Sequence, residues 1–339
     1  MLPEGWQERL KNYGKSNRNN EKCSAVEFVN LLIEHQGATH KISKMINVAP
    51  QMIASRRKNI ENFLQCELPR GRIETWRQTE GQNRVIDIAL ENGTIMVGSD
   101  LHKWPEITGT AERAFIALNQ MLKPGVVILN GDGLDAASIS RHGKIGWEQR
   151  PKVKDEIEAL QDFSHALINE NKNAKYIRTR GNHDGRFDTF LSGIAGELEG
   201  VRGTSLQDHL GMWTESVAVN INRNLPGYTI IKHRFRSSGI HADYINVLKT
   251  GVSILFGHLH CQRVRAFTDA RGTRYGIDAG MLAPVGGPQF AYGEADIVDH
   301  RSGFVVLTYI DGLLMPPELV HVLDEDEGVI YFRGQRWQV

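Results

Sequence analysis

From residue 84 onward, short apolar runs that end in Gly or Asp alternate with long amphipathic stretches. Residues 94–100 and 126–132 are typical of buried strands followed by charged loops, and residues 112–122 are typical of a helix. A longer helix is predicted over residues 154–171, and further strands over residues 175–179, 228–232, 252–256, 275–278, 304–309 and 329–332. Because strands alternate with helices, the sequence predicts a layered α/β fold.

The first 80 residues differ in character from the rest of the chain. Residues 1–22 are polar and rich in Asn and Lys, which predicts a loosely ordered terminus. Residues 23–68 contain two helical apolar patterns and predict a small all-helical module. Residues 69–84 begin with Pro and Gly and predict a linker, so that residues 85–339 would form the α/β domain.

Composition excludes several classes of protein. Apolar residues make up 40% and charged residues 24% of the 339 residues, which is ordinary for a globular chain. Three scattered cysteines (Cys23, Cys66 and Cys261) are too few for a disulfide framework or a thiolate zinc site. The N-terminus lacks the apolar stretch of a secretory signal, and no apolar run approaches the roughly 20 residues of a membrane span. We therefore expect a cytoplasmic protein that does not associate with membranes.

The net charge is zero, with 40 basic and 40 acidic residues, but the charge is unevenly distributed. Residues 1–80 carry 13 basic and 9 acidic residues and so a charge of +4, which leaves −4 on the remainder. A basic N-terminal segment on an acidic body favours a polyanionic partner such as nucleic acid.

Five short segments place metal-binding residue types directly after predicted strands. They are Asp100-Leu-His102, Gly131-Asp-Gly-Leu-Asp135, Gly181-Asn-His-Asp184, His233 and Gly257-His-Leu-His260. Residues i and i+2 of an extended segment share a face, and an open sheet has its binding crevice at the carboxyl ends of its strands. Carboxylate, amide and imidazole groups suit Mn, Fe, Zn or Ni better than Ca. One such residue alone would more simply be a capping or core group, whereas five segments together indicate a metal centre.

In this order the five segments resemble those of the calcineurin-like metallophosphoesterase family, over roughly residues 90–310. The resemblance implies a two-sheet sandwich flanked by helices, here preceded by the small N-terminal helical module. It also implies two divalent metal ions, for which we expect Mn, with Fe, Zn, Ni or Mg as alternatives. Two cations about 3.5–4 Å apart can activate water near neutral pH and hold phosphoryl oxygens during in-line displacement.

The resemblance also implies a role for each residue that matches a motif. The first metal would be held by Asp100, His102 and His260, the second by Asn182, His233 and His258, and Asp132 would bridge the two. His183 would bind no metal but would protonate the leaving oxygen or stabilise the phosphoryl group in the transition state. Asp184 would orient His183 through a hydrogen bond, and Asp135 would support its loop.

The fourth motif leaves two candidates. His233 follows an apolar run that suits a strand-end ligand, and it lies 25 residues before His258. His241 lies 17 residues before His258, at a predicted helix start. We favour His233, although the family often has Gly after this His and Arg234 follows it here.

Residues 42–58 resemble a helix-turn-helix, with Asn47 in the turn and Pro50 in the first turn of the second helix. Such a helix can lie in the DNA major groove while basic side chains meet phosphates. Its exposed face would carry Gln51, Ser55, Arg56 and Lys58. The alternative is a plain helical bundle with a solvated basic face.

These features predict a metal-dependent phosphoesterase that hydrolyses phosphodiester or phosphomonoester bonds of nucleic acid, as a DNA nuclease or a DNA-end phosphatase. One alternative is a phosphoprotein or nucleotide phosphatase whose N-terminal module docks a protein. Another is a DNA-binding regulator with an inactive phosphoesterase domain. The complete set of ligand candidates argues against an inactive domain.

Overall fold

The structure is a computed structural model. It describes the chain except residues 1, 4, 12, 14–22, 36, 38, 67, 70–74, 79–83, 142, 145–147 and 294–298. Much of the terminus predicted to be loosely ordered, residues 14–22, therefore lies outside the described residues. Before it, Trp6–Leu10 form a short helix whose Leu10 is buried.

The described residues contain nine α-helices. They are α1 (Trp6–Leu10), α2 (Ala25–Glu34), α3 (Thr39–Ile46), α4 (Pro50–Leu64), α5 (Thr110–Leu122), α6 (Val153–Glu170), α7 (Asp184–Ile194), α8 (Leu206–His209) and α9 (Ala242–Thr250). Short 3₁₀ segments lie at Ala137–Ile139, Gly196–Leu198 and Pro288–Gly293. The helices predicted over residues 112–122 and 154–171 correspond to α5 and α6.

The described strands form two sheets. The strands are β1 (Thr75–Gln78), β2 (Val85–Ala89), β3 (Gly93–Gly98), β4 (Val126–Asn130), β5 (Lys175–Thr179), β6 (Thr214–Ser216), β7 (Ala218–Ile221), β8 (Thr229–Ile231), β9 (Ser253–Phe256), β10 (Arg263–Asp269), β11 (Gly272–Asp278), β12 (Gly303–Ile310), β13 (Leu313–Leu314), β14 (Glu318–Asp324), β15 (Val329–Phe332) and β16 (Gln335–Gln338). Sheet I has the order β1-β2-β7-β8-β9-β11-β10. Sheet II has the order β16-β15-β14-β12-β3-β4-β5-β6, and β13 pairs with β12.

Alternating apolar side chains on sheet II separate two cores. On β3, Ile95 and Val97 pack with apolar residues of sheet I, whereas Met96 points to the other side and joins the cluster beneath α5 and α6. This is the period-two alternation of a strand that is buried on both faces. Helix α9 covers the outer face of sheet I, where Val247 and Ile254 share a smaller cluster. The predicted α/β class, a two-sheet sandwich flanked by helices, is confirmed.

Helices α1 to α4 form a small module with its own apolar core. Phe28, Leu32, Ile42 and Ile53 are fully buried in it. Helix α2 begins with a capping box between Ser24 and Glu27, which satisfies backbone N–H groups that the first helical turn leaves free. Helices α2 to α4 lie within residues 23–68, the range predicted to form an all-helical module, and Leu10 of α1 packs in the same core.

The turn between α3 and α4 contains Asn47, and the helix-turn-helix interpretation of this segment stays a prediction. Asn47 has a φ of 50°, in the left-handed region that Asn tolerates better than most residues. Helix α4 begins at Pro50, where a missing N–H costs nothing because the first helical turn leaves that group unpaired.

The segment predicted to be a linker, residues 69–84, contains a strand. Thr75–Gln78 pair antiparallel with β2, with Thr75 opposite Ala89 and Gln78 opposite Ile86. Thr and Trp favour strands, and the otherwise unpaired edge of β2 offers a row of hydrogen-bonding groups. The Pro and Gly at the start of the segment gave no sign of this pairing.

A buried ion pair joins the helical module to the sandwich. Arg57 of α4 is 1% exposed and pairs with Glu91, which lies between β2 and β3. Thr39 of α3 donates a hydrogen bond to the same carboxylate, and Arg57 Nη2 lies 3.4 Å from Asp311 Oδ1. The module therefore rests at the start of β3.

Among the described residues, none of the helices combines the length and the apolar character that crossing a bilayer requires.

Candidate metal centre

The motif segments follow the carboxyl ends of five strands. β3, β4 and β5 are parallel neighbours in sheet II, and β8 and β9 are parallel neighbours in sheet I. The ligand candidates that follow these strands are, in chain order, Asp100, His102, Asp132, Asn182, His233, His258 and His260. Contacts between the two sheets bring these ends together, as the sheet-edge rule predicts.

Several of these residues hold a strained backbone. Five have a φ between 41° and 72°: Asp100, His102, Asp132, His258 and His260. The left-handed region costs a non-glycine residue on the order of 1 kcal/mol or more, and such strain collects at functional sites. The surrounding sandwich therefore fixes these side chains at a cost in stability.

Two motif glycines allow the segments to approach each other. A Cβ at Gly181 would lie 2.0 Å from Asp132 Oδ1, and one at Gly257 would lie 2.2 Å from Asp100 Oδ2. Both distances are far below van der Waals contact. A larger residue at either position would displace a carboxylate of the centre.

The first cluster consists of Asp100, His102 and His260. His260 Nε2 lies 3.1 Å from Asp100 Oδ1, and His102 Nε2 lies 3.8 Å from the same oxygen. Asp100 Oδ2 accepts hydrogen bonds from Ser99 Oγ and from the backbone N–H of His258, which orient the carboxylate. These are the three residues expected to hold the first metal.

The second cluster consists of Asp132, His233 and His258. His233 Nε2 lies 3.1 Å from Asp132 Oδ2 and 3.2 Å from Asn182 Oδ1, while its Nδ1 lies 2.9 Å from the backbone oxygen of Asn130. His241, the alternative for the fourth motif, is exposed at the start of α9. The structure thus places His233, and not His241, beside Asp132.

Asp132 lies between the two clusters. Its Oδ2 is 3.1 Å from His233 Nε2 and 4.0 Å from His102 Nε2. Its Oδ1 accepts the backbone N–H of His183 at 2.7 Å. One carboxylate thus faces a histidine from each cluster, which is the position that a bridging ligand requires.

The buried carboxylates favour the protonated, positively charged form of two histidines in the centre. Burial alone would lower the pKa of His102, but Asp100 and Asp135 raise it to about 10. Burial opposes a rise at His233 as well, yet the charges of Asp132 and Asp100 raise its pKa to about 9. Burial and the charge of His233 lower the pKa of His258 to about 4, so its imidazole is neutral, as a metal ligand must be.

The donor set fits a pair of divalent cations. Each cluster combines one carboxylate with two imidazoles, and Asn182 adds an amide oxygen. His102 Nε2 is buried and has no hydrogen-bond partner among the described residues, although buried polar atoms are nearly always paired. Cations here would pair that nitrogen and replace the protons that the carboxylates attract.

His183 lies beside the first cluster and is held by Asp135. Its Nδ1 is 2.8 Å from Asp135 Oδ1, and the same oxygen lies 3.1 Å from His102 Nδ1. Asp135 Oδ2 accepts the indole N–H of Trp104 at 3.1 Å. Burial would raise the pKa of Asp135, but the hydrogen bonds with His102 and His183 hold it well below its ordinary value. Asp135 therefore orients both histidines.

The prediction that Asp184 orients His183 through a hydrogen bond is wrong. Asp184 begins α7, and its carboxylate accepts the backbone N–H groups of Gly181, Asp132 and Leu134 at 2.9–3.1 Å. Free N–H groups in neighbouring turns are strong donors to a buried carboxylate. Asp184 holds the backbone of the motif loops together, and the carboxylate beside His183 is that of Asp135.

A cleft of about 1210 Å³ opens beside His183. Its walls include Trp104, Arg141, Arg186, Phe190 and Arg234. Arg186 donates to the backbone oxygen of Asp135 at 2.9 Å, and its Nη2 lies 3.1 Å from His183 Nε2. Because a guanidinium only donates hydrogen bonds, Nε2 is the acceptor in this arrangement and Nδ1 carries the proton.

Comparisons with known proteins find related structures but no related sequences. No family model matches this chain, and no curated protein matches it. Vps29 of Entamoeba histolytica in complex with Zn²⁺ is similar over 72% of this chain and 98% of its own, at 13% identity and a TM-score of 0.37.

Two further solved structures are similar at the same level. The phosphoesterase YfcE of E. coli covers 66% of this chain and 97% of its own, at 11% identity and a TM-score of 0.31. A dimetal phosphatase of Danio rerio covers 67% and 94%, at 10% identity and a TM-score of 0.33. The chain resembles the calcineurin-like metallophosphoesterases. Its two sheets and its five motif segments carry this resemblance. Structural likeness at this level does not bear on substrate.

Three residues near the centre were not found from the sequence. Arg186 and Phe190 line the cleft from α7, and the ring of Phe290 lies 5.4 Å from that of His102 and 5.3 Å from that of His260. A basic residue just after the Gly181–Asp184 motif was a usable signal for Arg186. Phe190 and Phe290 lie outside every motif, and nothing in the sequence distinguishes them from core residues.

The candidate nucleic-acid contacts on α4 differ in exposure. Ser55 and Lys58 are exposed, whereas Arg56 is partly buried, donates to the backbone oxygen of Cys23 at 2.7 Å and lies over the ring of Phe28. The side chain of Gln51 lies outside the described residues. Arg56 thus holds α4 against α2, while Ser55 and Lys58 point to solvent.

Proposed function

We propose that this protein is a hydrolase of phosphate esters that works with two divalent cations. The supporting observation is the pair of Asp/His clusters, with Asp132 of the second cluster facing His102 of the first and His183 beside them. Carboxylate and imidazole donors without a thiolate suit Mn, Fe, Zn or Ni, and of these we propose Mn. When bound, such a pair activates water and neutralises the oxygens of the phosphoryl group.

The protein's own residues position the ester and move one proton. Hydrolysis forms a bond from phosphorus to the oxygen of water and breaks the bond to the leaving oxygen, which takes up a proton. His183 Nε2 faces the cleft and supplies that proton, while Asp135 stabilises the positively charged imidazole through Nδ1. As long as Arg186 donates a hydrogen bond to His183 Nε2, that nitrogen cannot take up a proton. Arg186 must therefore release His183 and donate to a phosphoryl oxygen of the substrate instead.

We further propose that the substrate is nucleic acid, attacked as a phosphodiester or at a terminal phosphate. Four arginines line the cleft, of which Arg150 pairs with Glu148 and the other three are Arg141, Arg186 and Arg234. Lys41, Lys44 and Lys58 are exposed on α3 and α4, where a polyanion can meet them. The free cysteines fit a cytoplasmic setting.

The first experiment compares Mn²⁺-loaded and metal-stripped protein on p-nitrophenyl phosphate, bis-p-nitrophenyl phosphate, and end-labelled single- and double-stranded DNA. Cleavage of the diester and of internal DNA bonds indicates a nuclease. Release of the terminal phosphate alone indicates a DNA-end phosphatase. Turnover of p-nitrophenyl phosphate without any cleavage of DNA contradicts the nucleic-acid substrate and favours a phosphoprotein or nucleotide phosphatase. Loaded protein that turns over none of these substrates contradicts the enzyme proposal.

His183→Ala tests the assignment of the acid. We expect kcat to fall by about 10²–10⁴, the usual contribution of general acid catalysis, with bound metal near the wild-type amount. His241→Ala is the matched control, because His241 is exposed at the start of α9. Loss of metal in His183→Ala contradicts the assigned role.

A further inference from the structure

One face of α7 leads from the metal centre along the cleft. His183 precedes the helix, and Arg186 and Phe190 follow at positions i+3 and i+7 on the same face. At a rise of about 1.5 Å per residue, Arg186 lies about 4.5 Å and Phe190 about 10.5 Å further along the helix axis. All three line the cleft. A group joined to a phosphate at the centre can reach both side chains.

Phe190 exposes much of its ring to the cleft. Its side chain is 42% exposed, and it makes no ring contact among the described residues. Phe187, on the neighbouring face of α7, instead packs at 5.6 Å against the ring of His209. An exposed ring in a cleft offers a flat apolar surface on which a nucleobase can stack.

The same cleft carries an excess of positive charge. Its two acidic residues are engaged, Asp135 with His183 and Glu148 with Arg150 at 2.8 Å. Arg234 directly follows His233, so it enters from the sheet I side, and its side chain is exposed without an ion-pair partner among the described residues. Anionic groups on a substrate would meet this unpaired charge.

We propose that the cleft is a nucleotide subsite in which Phe190 stacks the base and Arg234 holds a phosphate beyond the scissile one. The ligand class is a nucleoside phosphate ester within a nucleic-acid strand whose bases are unpaired, because a base within a duplex would first have to be unpaired and unstacked, at a cost in free energy, to stack on Phe190. The cleft, at about 1210 Å³, exceeds the usual 300–1,000 Å³ of a small-molecule site and accommodates more than a phosphate group. This inference depends on the phosphoesterase function proposed above.

The test compares two nucleoside diesters with a diester that has a methyl group in place of the nucleoside. We would measure kcat/KM of the Mn²⁺-loaded protein for the p-nitrophenyl ester of thymidine 5′-phosphate, with its 3′ isomer, and for methyl p-nitrophenyl phosphate. The ratio of the better nucleoside ester to the methyl ester should exceed ten and should fall about tenfold in Phe190→Ala. Phe190→Trp should keep the ratio, because Trp also stacks. Ile194→Ala is the control, since Ile194 is 68% exposed on α7 but does not line the cleft.

Inhibition of diester hydrolysis by nucleotides tests whether Arg234 binds a second phosphate. Thymidine 3′,5′-bisphosphate should inhibit more strongly than the 5′-monophosphate, and Arg234→Gln should remove most of that difference. Arg271→Gln, at the exposed turn between β10 and β11, should keep it. A wild-type ratio near one, or a ratio that Phe190→Ala leaves unaltered, overturns the subsite while the phosphoesterase function stands. Absence of turnover on the nucleoside esters, on the methyl ester and on p-nitrophenyl phosphate alike overturns the phosphoesterase function itself, and the subsite with it.

Discussion

At the scale of single residues, Asp135 connects the metal ligands to the acid. One of its oxygens contacts His102 and His183, which belong to different parts of the proposed mechanism. We expect Asp135→Asn to lower kcat on p-nitrophenyl phosphate by about 10- to 100-fold, because an amide neither fixes the His183 tautomer nor stabilises its charged form. Asp188→Asn on α7 is the control, since Asp188 pairs with Arg180 away from the centre. Wild-type kcat in Asp135→Asn would contradict the role.

Glu156 gives stability a dependence on pH. Burial, with the nearby charge of Asp135, raises the pKa of this carboxyl to about 8, and its Oε1 has no hydrogen-bond partner among the described residues. Between about pH 4.5 and 8 the folded protein keeps a proton that the unfolded chain has lost. Its contribution to stability is therefore present at low pH and is lost as pH rises through 8.

Glu156→Gln should remove this dependence. We expect the variant to match the wild type near pH 5 and to be more stable at pH 9, by up to a few kcal/mol, since each pKa unit corresponds to about 1.4 kcal/mol. Urea unfolding of metal-free protein at both values measures the difference. The exposed Glu158→Gln, on the same helix, should show none. An equal loss of stability at both values would contradict the prediction.

The sequence predicts residues that act through their own chemistry better than residues that position others. Asp100 and His260 could be found because spacing after a strand and donor type are both visible in the sequence. The partner of His183 could not, because Asp135 lies 48 residues away and reaches it only through the parallel pairing of β4 with β5. Asp184, adjacent in sequence, has its carboxylate turned toward backbone N–H groups.

At the scale of elements, the contact of α4 with the β2–β3 connection determines where the helical module sits. Arg57 and Glu91 are both buried, and a buried charge that loses its partner typically costs about 3–5 kcal/mol. We expect Arg57→Met to destabilise the protein by about that amount. Adding Glu91→Gln should recover part of the loss, because it removes the charge left unpaired. Lys58→Met, at the adjacent exposed position, should stay within about 0.5 kcal/mol in the same urea titration.

Equal stability of Arg57→Met and Lys58→Met would mean that the ion pair does not hold the module in place. The sequence could not predict this contact, because Arg57 belongs to a basic run that is typical of a solvated or DNA-binding face. The same run supplies one residue for the core of the interface, Arg57, one for packing within the module, Arg56, and one exposed cation, Lys58. Only tertiary structure distinguishes the three.

At the scale of the molecule, the helical module and the metal centre lie at opposite ends of β3. Glu91 precedes the strand and Asp100 follows it, so about nine residues at roughly 3.3 Å each separate the two contacts by some 25–30 Å. The strand pattern predicted where β3 begins and ends, but the sequence could not show that the helical module packs at its start, the end opposite the metal centre. A nucleic acid held by the module would have to extend along the sandwich to reach the cleft.

Electrostatics at the two ends should therefore be separable. We expect the triple variant Lys41→Gln, Lys44→Gln and Lys58→Gln to bind single-stranded DNA more weakly and to keep kcat on p-nitrophenyl phosphate, because these exposed lysines lie far from the centre. If all three meet phosphates, the slope of log K against log salt should become shallower by about 2, since each contact in a single strand contributes roughly 0.7.

A charge-matched triple variant on the side of sheet II replaces Lys123 at the end of α5, Lys154 on α6 and Lys172 just after α6 with Gln, and so removes the same charge. This variant should leave the slope of log K against log salt at its wild-type value, because its lysines lie outside the surface proposed to contact DNA. Equal loss of affinity in both variants would mean that DNA responds to overall charge alone. In that case the module would need a partner other than nucleic acid, and the cleft alone would have to bind the substrate.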